Sequence, residues 1–265
     1  MGSIRTLTSR LASEIARTRD DPHRLLQLAR KQTLLAFLYS FRGLPGGWRK
    51  VGQFQSRLFS SYEDYLKHQR SKPARGLNTP QHDRTFRSAL AARLRRDGVE
   101  GKGVSVLCLG ARFGTEVKAF HDIGAFAVGI DVRTGERNKF VLQGDFHNIQ
   151  FPAATVDIVF TNSLDHAFDF EKVIHEIRRV LKPTGTLLVE AVRGSEEGHP
   201  PGGYEAFYWS RIQDLADRLE SRGFTLVDRY GFEVPWAGDH LRFVMMESDA
   251  SARSSSSEKT APRAG

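Results

Sequence analysis

The sequence contains one cysteine, Cys108, in 265 residues. An internal disulfide framework and a cysteine-cluster zinc site are both excluded, and a reducing compartment fits. The nine histidines are scattered, with no H-x-x-x-H or H-x-E cluster, so no metal site is expected. Long apolar runs are missing too. The richest, Leu34 to Phe41, is broken by Tyr39 and Ser40 and falls well short of the roughly 20 residues that span a bilayer. Acidic residues are scarce in one half only. Residues 1–100 carry 20 Lys+Arg against 8 Asp+Glu, a balance of +12, whereas residues 101–265 carry 19 against 23, a balance of −4. Such a basic segment either steers toward phosphates, anionic lipid or acidic protein patches, or simply faces water.

What is present suits a folded α/β protein. Hydrophobic residues make up 40% and charged residues 26%, enough to bury a sizeable core. Residues 1–100 read as helices and turns without a clear strand. Leu7, Leu11 and Ile15 recur at a spacing of four among arginines. This first helix is Arg- and Ser/Thr-rich, as organelle transit peptides are, but lacks a secretory apolar stretch. A cytoplasmic location is expected, with organelle targeting the alternative. A second helix is expected from Asp21-Pro22 to about Phe41, a loop over Gly43 to Gly52, a third helix over Phe54 to Gln69, and a fourth from Thr79-Pro80 to near Gly98. From residue 104 the pattern alternates. Strands are expected at Val104–Leu109, Phe126–Asp131, Lys139–Leu142, Val156–Thr161, Thr186–Val192, Phe224–Arg229 and Leu241–Met246, with helices at Glu116–Ile123, Asp169–Leu181 and Ser210–Arg222. Such alternation means βαβ units and a doubly wound, mostly parallel sheet. The organisation expected is a basic helical extension or lid over residues 1–100, a ligand-binding domain over 101–248 and a disordered tail over 249–265.

Ligands of open α/β sheets bind beyond the carboxyl ends of the strands. The first strand here runs into Leu109-Gly110-Ala111-Arg112-Phe113-Gly114-Thr115-Glu116. Gly110 permits a tight turn, and Gly114 lets the next helix start close to the sheet. Asp131 ends the second strand, 21 residues beyond Gly110, where a carboxylate can accept from two ribose hydroxyls. The loop is not G-x-G-x-x-G, so a backbone-cradled pyrophosphate is poorly supported. Gly144-Asp145-Phe146 follows the third strand, and Asn162-Ser163-Leu164-Asp165-His166 the fourth. The run Arg179-Val180-Leu181-Lys182-Pro183-Thr184-Gly185-Thr186 comes next.

This ordered set resembles the class I S-adenosylmethionine-dependent methyltransferases, in particular the small-molecule type 11 group, over residues 100–247. The resemblance implies a Rossmann-like fold and S-adenosyl-L-methionine as cofactor. It places the methionine moiety in the Gly110–Gly114 loop, which includes Ala111, and the ribose on Asp131 with Val132 against the adenine. By the same likeness Asp145 accepts from the adenine amino group, Phe146 covers the ring, and Asn162 and Ser163 line the sulfonium. Two positions depart from the family pattern: Cys108 replaces the usual acid, and Arg112 the middle glycine. Arg112 either grips the cofactor's carboxylate, pairs with Glu116, or points to solvent. Glu116 is the candidate to replace the missing acid at the methionine amino group. Cys108 reads as a buried strand residue.

Methyl transfer demands in-line approach, and an oxygen nucleophile often needs a base as well. His166, just past a strand end, is the candidate; the alternative is a packing role. His147 is a weaker candidate of the same kind, and Asp165 reads as a helix cap. Tyr62, Tyr65 and His68 fall on one helical face and are lid candidates, or else an amphipathic face packed on the sheet. Tyr204, with His199, Tyr208 and Trp209, either shapes an acceptor pocket or packs the next helix.

The function expected is methyl transfer to a small-molecule acceptor, lipid- or sugar-linked in one variant, at oxygen. The alternative is a non-catalytic cofactor-binding or assembly protein with a basic docking segment. A nucleic-acid partner is not indicated, since neither an aromatic-basic RNA signature nor a base-flipping motif occurs. Peripheral contact with an anionic membrane or protein through residues 1–50 is left open, as is the oligomeric state.

Overall fold

The computed structural model describes residues 47–73, 79–99, 101–134 and 138–246. The helices expected before residue 42 and the tail expected from residue 249 lie outside the described residues. Two short strands open the described chain, β1 (Trp48–Val51) and β2 (Phe54–Arg57), followed by α1 (Tyr62–Arg70) and α2 (Pro80–Arg96). The expected loop to Gly52 and helix from Phe54 are therefore corrected. Gly52, at φ +59°, turns one strand into the next, and the helix begins only after Ser61 caps it by accepting from the Asp64 N–H. Pro80 starts α2 behind its Thr79 cap, as the sequence predicts.

The alternating region gives β3 (Ser105–Leu109), α3 (Thr115–Asp122), β4 (Phe126–Asp131), β5 (Val141–Gln143), β6 (Val156–Thr161), α4 (Phe170–Val180), β7 (Leu181–Ala191), β8 (Phe207–Trp209), α5 (Ile212–Glu220), β9 (Phe224–Phe232) and β10 (Gly238–Met245). The main sheet has the order β5-β4-β3-β6-β7-β10-β9. Neighbouring strands are parallel from β5 to β7, and β10 runs antiparallel to both its neighbours. The doubly wound α/β fold is thus observed. β7 starts earlier than expected because Leu181 pairs with Val156 before the Lys182–Gly185 turn bulges out, and pairing resumes between Ile158 and Thr186.

Both faces of the sheet are covered. Along β3, Leu107 and Leu109 join the apolar cluster beneath α4 and α5, while Val106 and Cys108 join the one beneath α2 and α3. Alternation within an all-apolar strand is what burial on both faces produces. Cys108 is fully buried, and burial raises its thiol well above the ordinary range, as a core residue requires. Phe86, Leu90 and Leu94 place α2 in the same core, so residues 80–96 pack as part of the sheet domain. A second, three-stranded antiparallel sheet, β1-β2-β8, was not expected. Its β8 is the aromatic triplet Phe207-Tyr208-Trp209, which docks the N-terminal hairpin beside the carboxyl ends of the main sheet.

Candidate functional site

The site is built where β3, β4 and β6 end. Gly110 leaves β3 at φ +70°, and a Cβ there would lie 2.5 Å from Ser163 Oγ. Glycine is required on both counts. The N–H groups of Gly110 and Ala111 donate to the Ile130 carbonyl, which pins the loop to the end of β4. Gly114, at φ +72°, starts α3 with Asn138 and Val141 close above it. Between them Arg112 takes φ +21°, an unusual conformation for a side-chain-bearing residue. Its N–H donates to Asp131 Oδ2 at 3.1 Å, and the Arg133 N–H donates to Oδ1 at 2.7 Å. Two backbone donors therefore orient the Asp131 carboxylate, while burial raises its pKa.

A cavity of about 290 Å³ opens from this loop, bounded by Ala111, Arg112, Glu116, Asn162, Ser163 and His166 among others. Glu116 is buried in the first turn of α3 and accepts from Asn162 Nδ2 at 3.0 Å. Burial pushes its carboxyl up to about 7. Ser163 Oγ donates to Asn162 Oδ1 at 3.1 Å. The alternative in which Arg112 pairs with Glu116 is not found. The guanidinium turns the other way and donates to the carbonyls of Lys72 and Pro73. A smaller cavity of about 70 Å³ continues from Gly110 past Asp131, Val132 and Phe146.

Asp145, expected to accept from the adenine amino group, is engaged by groups of the chain itself. Its Oδ1 takes the N–H and Nδ1 of His147 at 2.9 and 2.8 Å, and its Oδ2 takes the Tyr62 hydroxyl. Although burial works against it, the hydrogen bonds from His147 and Tyr62 hold Asp145 below the usual carboxylate range. The expected face of α1 does turn toward the sheet. Tyr65 is 1% exposed and donates to the His166 carbonyl at 3.0 Å. His68 donates to the Gly203 carbonyl at 2.8 Å and stacks on Tyr204, centroids 4.9 Å apart.

His166 ends a short 3-10 turn, Leu164–His166. Its Nδ1 lies 2.9 Å from the Tyr204 carbonyl, which can only accept, so Nδ1 carries the proton. Nε2 then presents a lone pair, and Lys72 Nζ donates to it at 2.6 Å. Lys72, missed by the sequence reading, borders all three cavities of the site. Burial pulls its ammonium below the usual lysine range, against Asp165 and Glu205. Nothing in its sequence context distinguishes this lysine. Only the fold carries it 94 positions along the chain to His166. The third cavity, about 210 Å³, lies beside the first, lined by His199, Tyr204, Glu205 and Tyr208 together with Lys72 and Asp165. Tyr208 and Trp209 also pack: their polar tips donate to the His199 and Val192 carbonyls at 2.6 and 3.1 Å. Among the described residues no group of three or more acidic, cysteine or histidine side chains could hold a metal. No described helix is long and apolar enough to cross a membrane.

The comparisons agree with this fold. Residues 107–189 match the family model described as a methyltransferase domain. The Burkholderia thailandensis 1,6-didemethyltoxoflavin-N1-methyltransferase, solved with 1,6-didemethyltoxoflavin and S-adenosylhomocysteine, superposes with a TM-score of 0.57 at 16% identity, over 76% of this chain and 100% of that one. A SAM-dependent methyltransferase from Aquifex aeolicus gives 0.51 at 19% identity, over 65% and 96%. A chain from the complex of the Haloferax volcanii Trm112 methyltransferase activator with its methyltransferase gives 0.51 at 18%, over 69% and 98%. No curated protein matches in sequence. Residues 107–189 thus resemble a methyltransferase domain, and the chain has the fold of the S-adenosylmethionine-dependent methyltransferases on which it superposes.

Proposed function

We propose that the protein methylates a small-molecule acceptor at oxygen. The observation that carries this reading is the continuity of the strand-end cavity of about 290 Å³ from the Gly110 loop to the Lys72–His166 pair. The residues fit the cofactor: a side-chain-free approach at Gly110, a carboxylate at Asp131 set by two backbone donors, and buried Glu116 facing the same space. When bound, S-adenosyl-L-methionine supplies an electrophilic methyl group on a sulfonium. Asp131 would hold the ribose, with Val132 and Phe146 beside the adenine. The Gly110–Gly114 loop and Glu116 would hold the methionine end, with Asn162 and Ser163 at the centre. Arg112 reaches that end with its backbone only, since its guanidinium is engaged by the Lys72–Pro73 carbonyls.

The Lys72–His166 pair lies between the cofactor cavity and the side chamber, where an acceptor hydroxyl would enter. Nε2 is the one unprotonated nitrogen of the pair, so once Lys72 turns its N–H away the freed lone pair takes the hydroxyl proton as the oxygen gains the methyl. Tyr65, through the His166 carbonyl, and Tyr204, through Nδ1, hold the imidazole in place. His166 is thereby the catalytic residue of this reading, with the rest of the rate coming from positioning. Tyr62, Tyr65 and His68 act as the lid.

One observation favours the non-catalytic alternative: α1 lies over the β4 end of the cleft, and the cavity beside Asp131 is only about 70 Å³. Calorimetry on the full chain with S-adenosyl-L-methionine and S-adenosylhomocysteine, followed by an acceptor screen with methyl-labelled cofactor, decides. Binding with label transfer to a small molecule is expected. Folded protein that binds neither ligand ends the proposal, and binding without transfer to any acceptor favours the alternative.

A further inference from the structure

The side chamber of about 210 Å³ has a composition that a neutral acceptor does not require. Tyr204, Tyr208, Pro200 and His199 give it walls able to pack against a ring or chain. Its floor is charged. Asp165 and Glu205 border both this chamber and the cofactor cavity, with Lys72 as the cation shared by both. The Arg57 guanidinium lies beside Glu205, donating to the Glu205 and Gly202 carbonyls, while the Lys72 ammonium, the cation nearest Asp165 and His166, already spends a hydrogen bond on His166 Nε2. Asp165 Oδ1 is buried with no hydrogen-bond donor, and His166 Nε2 lies 3.8 Å from it. A buried carboxylate oxygen without a donor is costly, so a donor is expected from outside the chain. Glu205 cannot be relieved by moving, since its carboxylate accepts from the Tyr204 N–H at 3.2 Å and packs against Gly202. A ligand anion would place its charge directly against the Asp165 and Glu205 carboxyls, which Coulomb repulsion opposes.

We infer that the side chamber is an ammonium-binding subsite: the acceptor is a small compound carrying a protonated amine, which donates to Asp165 Oδ1 beside Glu205. This rests on the methyltransferase reading and sharpens it. The chamber is smaller than the roughly 300–1,000 Å³ of ordinary drug-sized sites, so the acceptor is correspondingly small. The amine is the recognition handle; Asp165 and Glu205 bind it, and Tyr204 and Tyr208 pack its carbon skeleton.

The test uses the full chain with S-adenosylhomocysteine present and three probes of nearly equal shape: phenethylamine, 2-phenylethanol and phenylacetate. Binding is read by ligand-observed NMR titration. The amine is expected to bind at least tenfold tighter than the alcohol, with the acid weakest. Asp165→Asn is expected to remove that preference while the calorimetric affinity for S-adenosylhomocysteine stays within about threefold. The result that overturns the inference is an alcohol or acid binding as tightly as the amine. So does an Asp165→Asn variant that keeps the amine preference. If Asp165→Asn instead weakens the cofactor product tenfold and leaves the amine unaffected, the orphan oxygen belongs to the cofactor, and the subsite is wrong. Loss of S-adenosylhomocysteine binding by the unaltered protein would overturn the methyltransferase reading itself, a separately visible failure.

Discussion

The two walls of the strand-edge cleft are made of different material. At the β3–β6 end the shape comes from backbone: Gly110 at φ +70°, Gly114 at φ +72°, and N–H groups that fasten the loop to Ile130. Over the cleft the shape comes from side chains of α1, which bring Tyr62 to Asp145 past β5 and Tyr65 to His166 past β6. The first wall is rigid because it is the sheet. The second is held by hydrogen bonds and ring contacts of α1, with Tyr65 buried among them, and its opening belongs to the lid role proposed above. A cleft with one fixed and one removable wall can admit a ligand and then shield it from water.

The largest way to break this contrast is to undo the support of the fixed end. Glu190, 1% exposed near the end of β7, receives Arg93 of α2 at 2.6 Å and sits 3.0 Å from His240 Nδ1. His240 Nε2 lies 2.8 Å from Asp97, which also accepts from Tyr230 at 3.0 Å. Burial lowers the His240 pKa, but Asp97 and Glu190 outweigh it and raise the imidazole above its ordinary range. Glu190→Ala leaves buried Arg93 and His240 short of a partner. The expected loss is about 3–5 kcal/mol of unfolding free energy. Urea denaturation reads it, and a loss below about 1 kcal/mol would show that the network is not what ties α2 to the sheet.

Next in size is Asp131→Ala. Hydrogen bonds to a charged group are worth about 1.5–3 kcal/mol, and the carboxylate is aimed by two backbone donors. At least a roughly tenfold loss of S-adenosylhomocysteine affinity is expected, equivalent to about 1.4 kcal/mol. Unchanged affinity with an intact fold would remove Asp131 from the ribose role.

The contrast between the two walls is also a contrast in legibility. Glycine spacing, an acid closing β4 and the polar pair Asn162-Ser163 are local signals, written within a few residues of the backbone they shape. The doubly wound sheet and the residues of its strand-end loops could be read on that basis. The cover could not. Tyr62 and Asp145 are 83 positions apart, and Lys72 and His166 are 94, so no local pattern marks either contact. The β1-β2 hairpin was read as loop and helix because Phe54-Gln55-Ser56-Arg57 has no strand-like alternation of its own. Its partner, the buried β8, supplies what makes it a strand. Arg112 was legible as unusual, but its direction, toward the Lys72–Pro73 carbonyls, depends on that same unseen cover.

Glu116 gives a pH test of the fixed end, smaller than the Asp131 effect near neutrality. Burial lifts its carboxyl from 4.5 to about 7 in the free protein. A folded-state pKa above the unfolded value means that this group's contribution to stability is full below about 4.5 and lost as pH rises through 7. If a ligand amino group binds against Glu116, it favours the carboxylate, so binding releases a proton. S-adenosylhomocysteine affinity should then rise several-fold between pH 6 and 8, by less than the tenfold per unit that one proton permits. Glu116→Gln should flatten the profile. A profile just as steep in the Gln variant would assign the dependence to another group.

The smallest effect belongs to the removable wall, and it has the opposite sign. Tyr62 donates its hydroxyl to Asp145, and burial followed by the Asp145 contact raises the phenol's pKa, so at neutral pH it stays protonated and donating. Tyr62→Phe removes that donor but keeps the ring against Tyr65 and Phe168, at 5.3 Å each, so α1 stays docked. His147 still supplies two hydrogen bonds to Oδ1, so Asp145 remains ionised while Oδ2 is released. If an adenine amino group needs that oxygen, ligand binding no longer has to break the Tyr62 bond. A net hydrogen bond is worth about 0.5–1.5 kcal/mol, so S-adenosylhomocysteine should bind about two- to tenfold tighter. The gain should appear in the association rate, because the cover is what opens first. A weaker affinity would instead make the Tyr62 hydroxyl part of the binding surface, and α1 a built-in wall of the site in place of a lid.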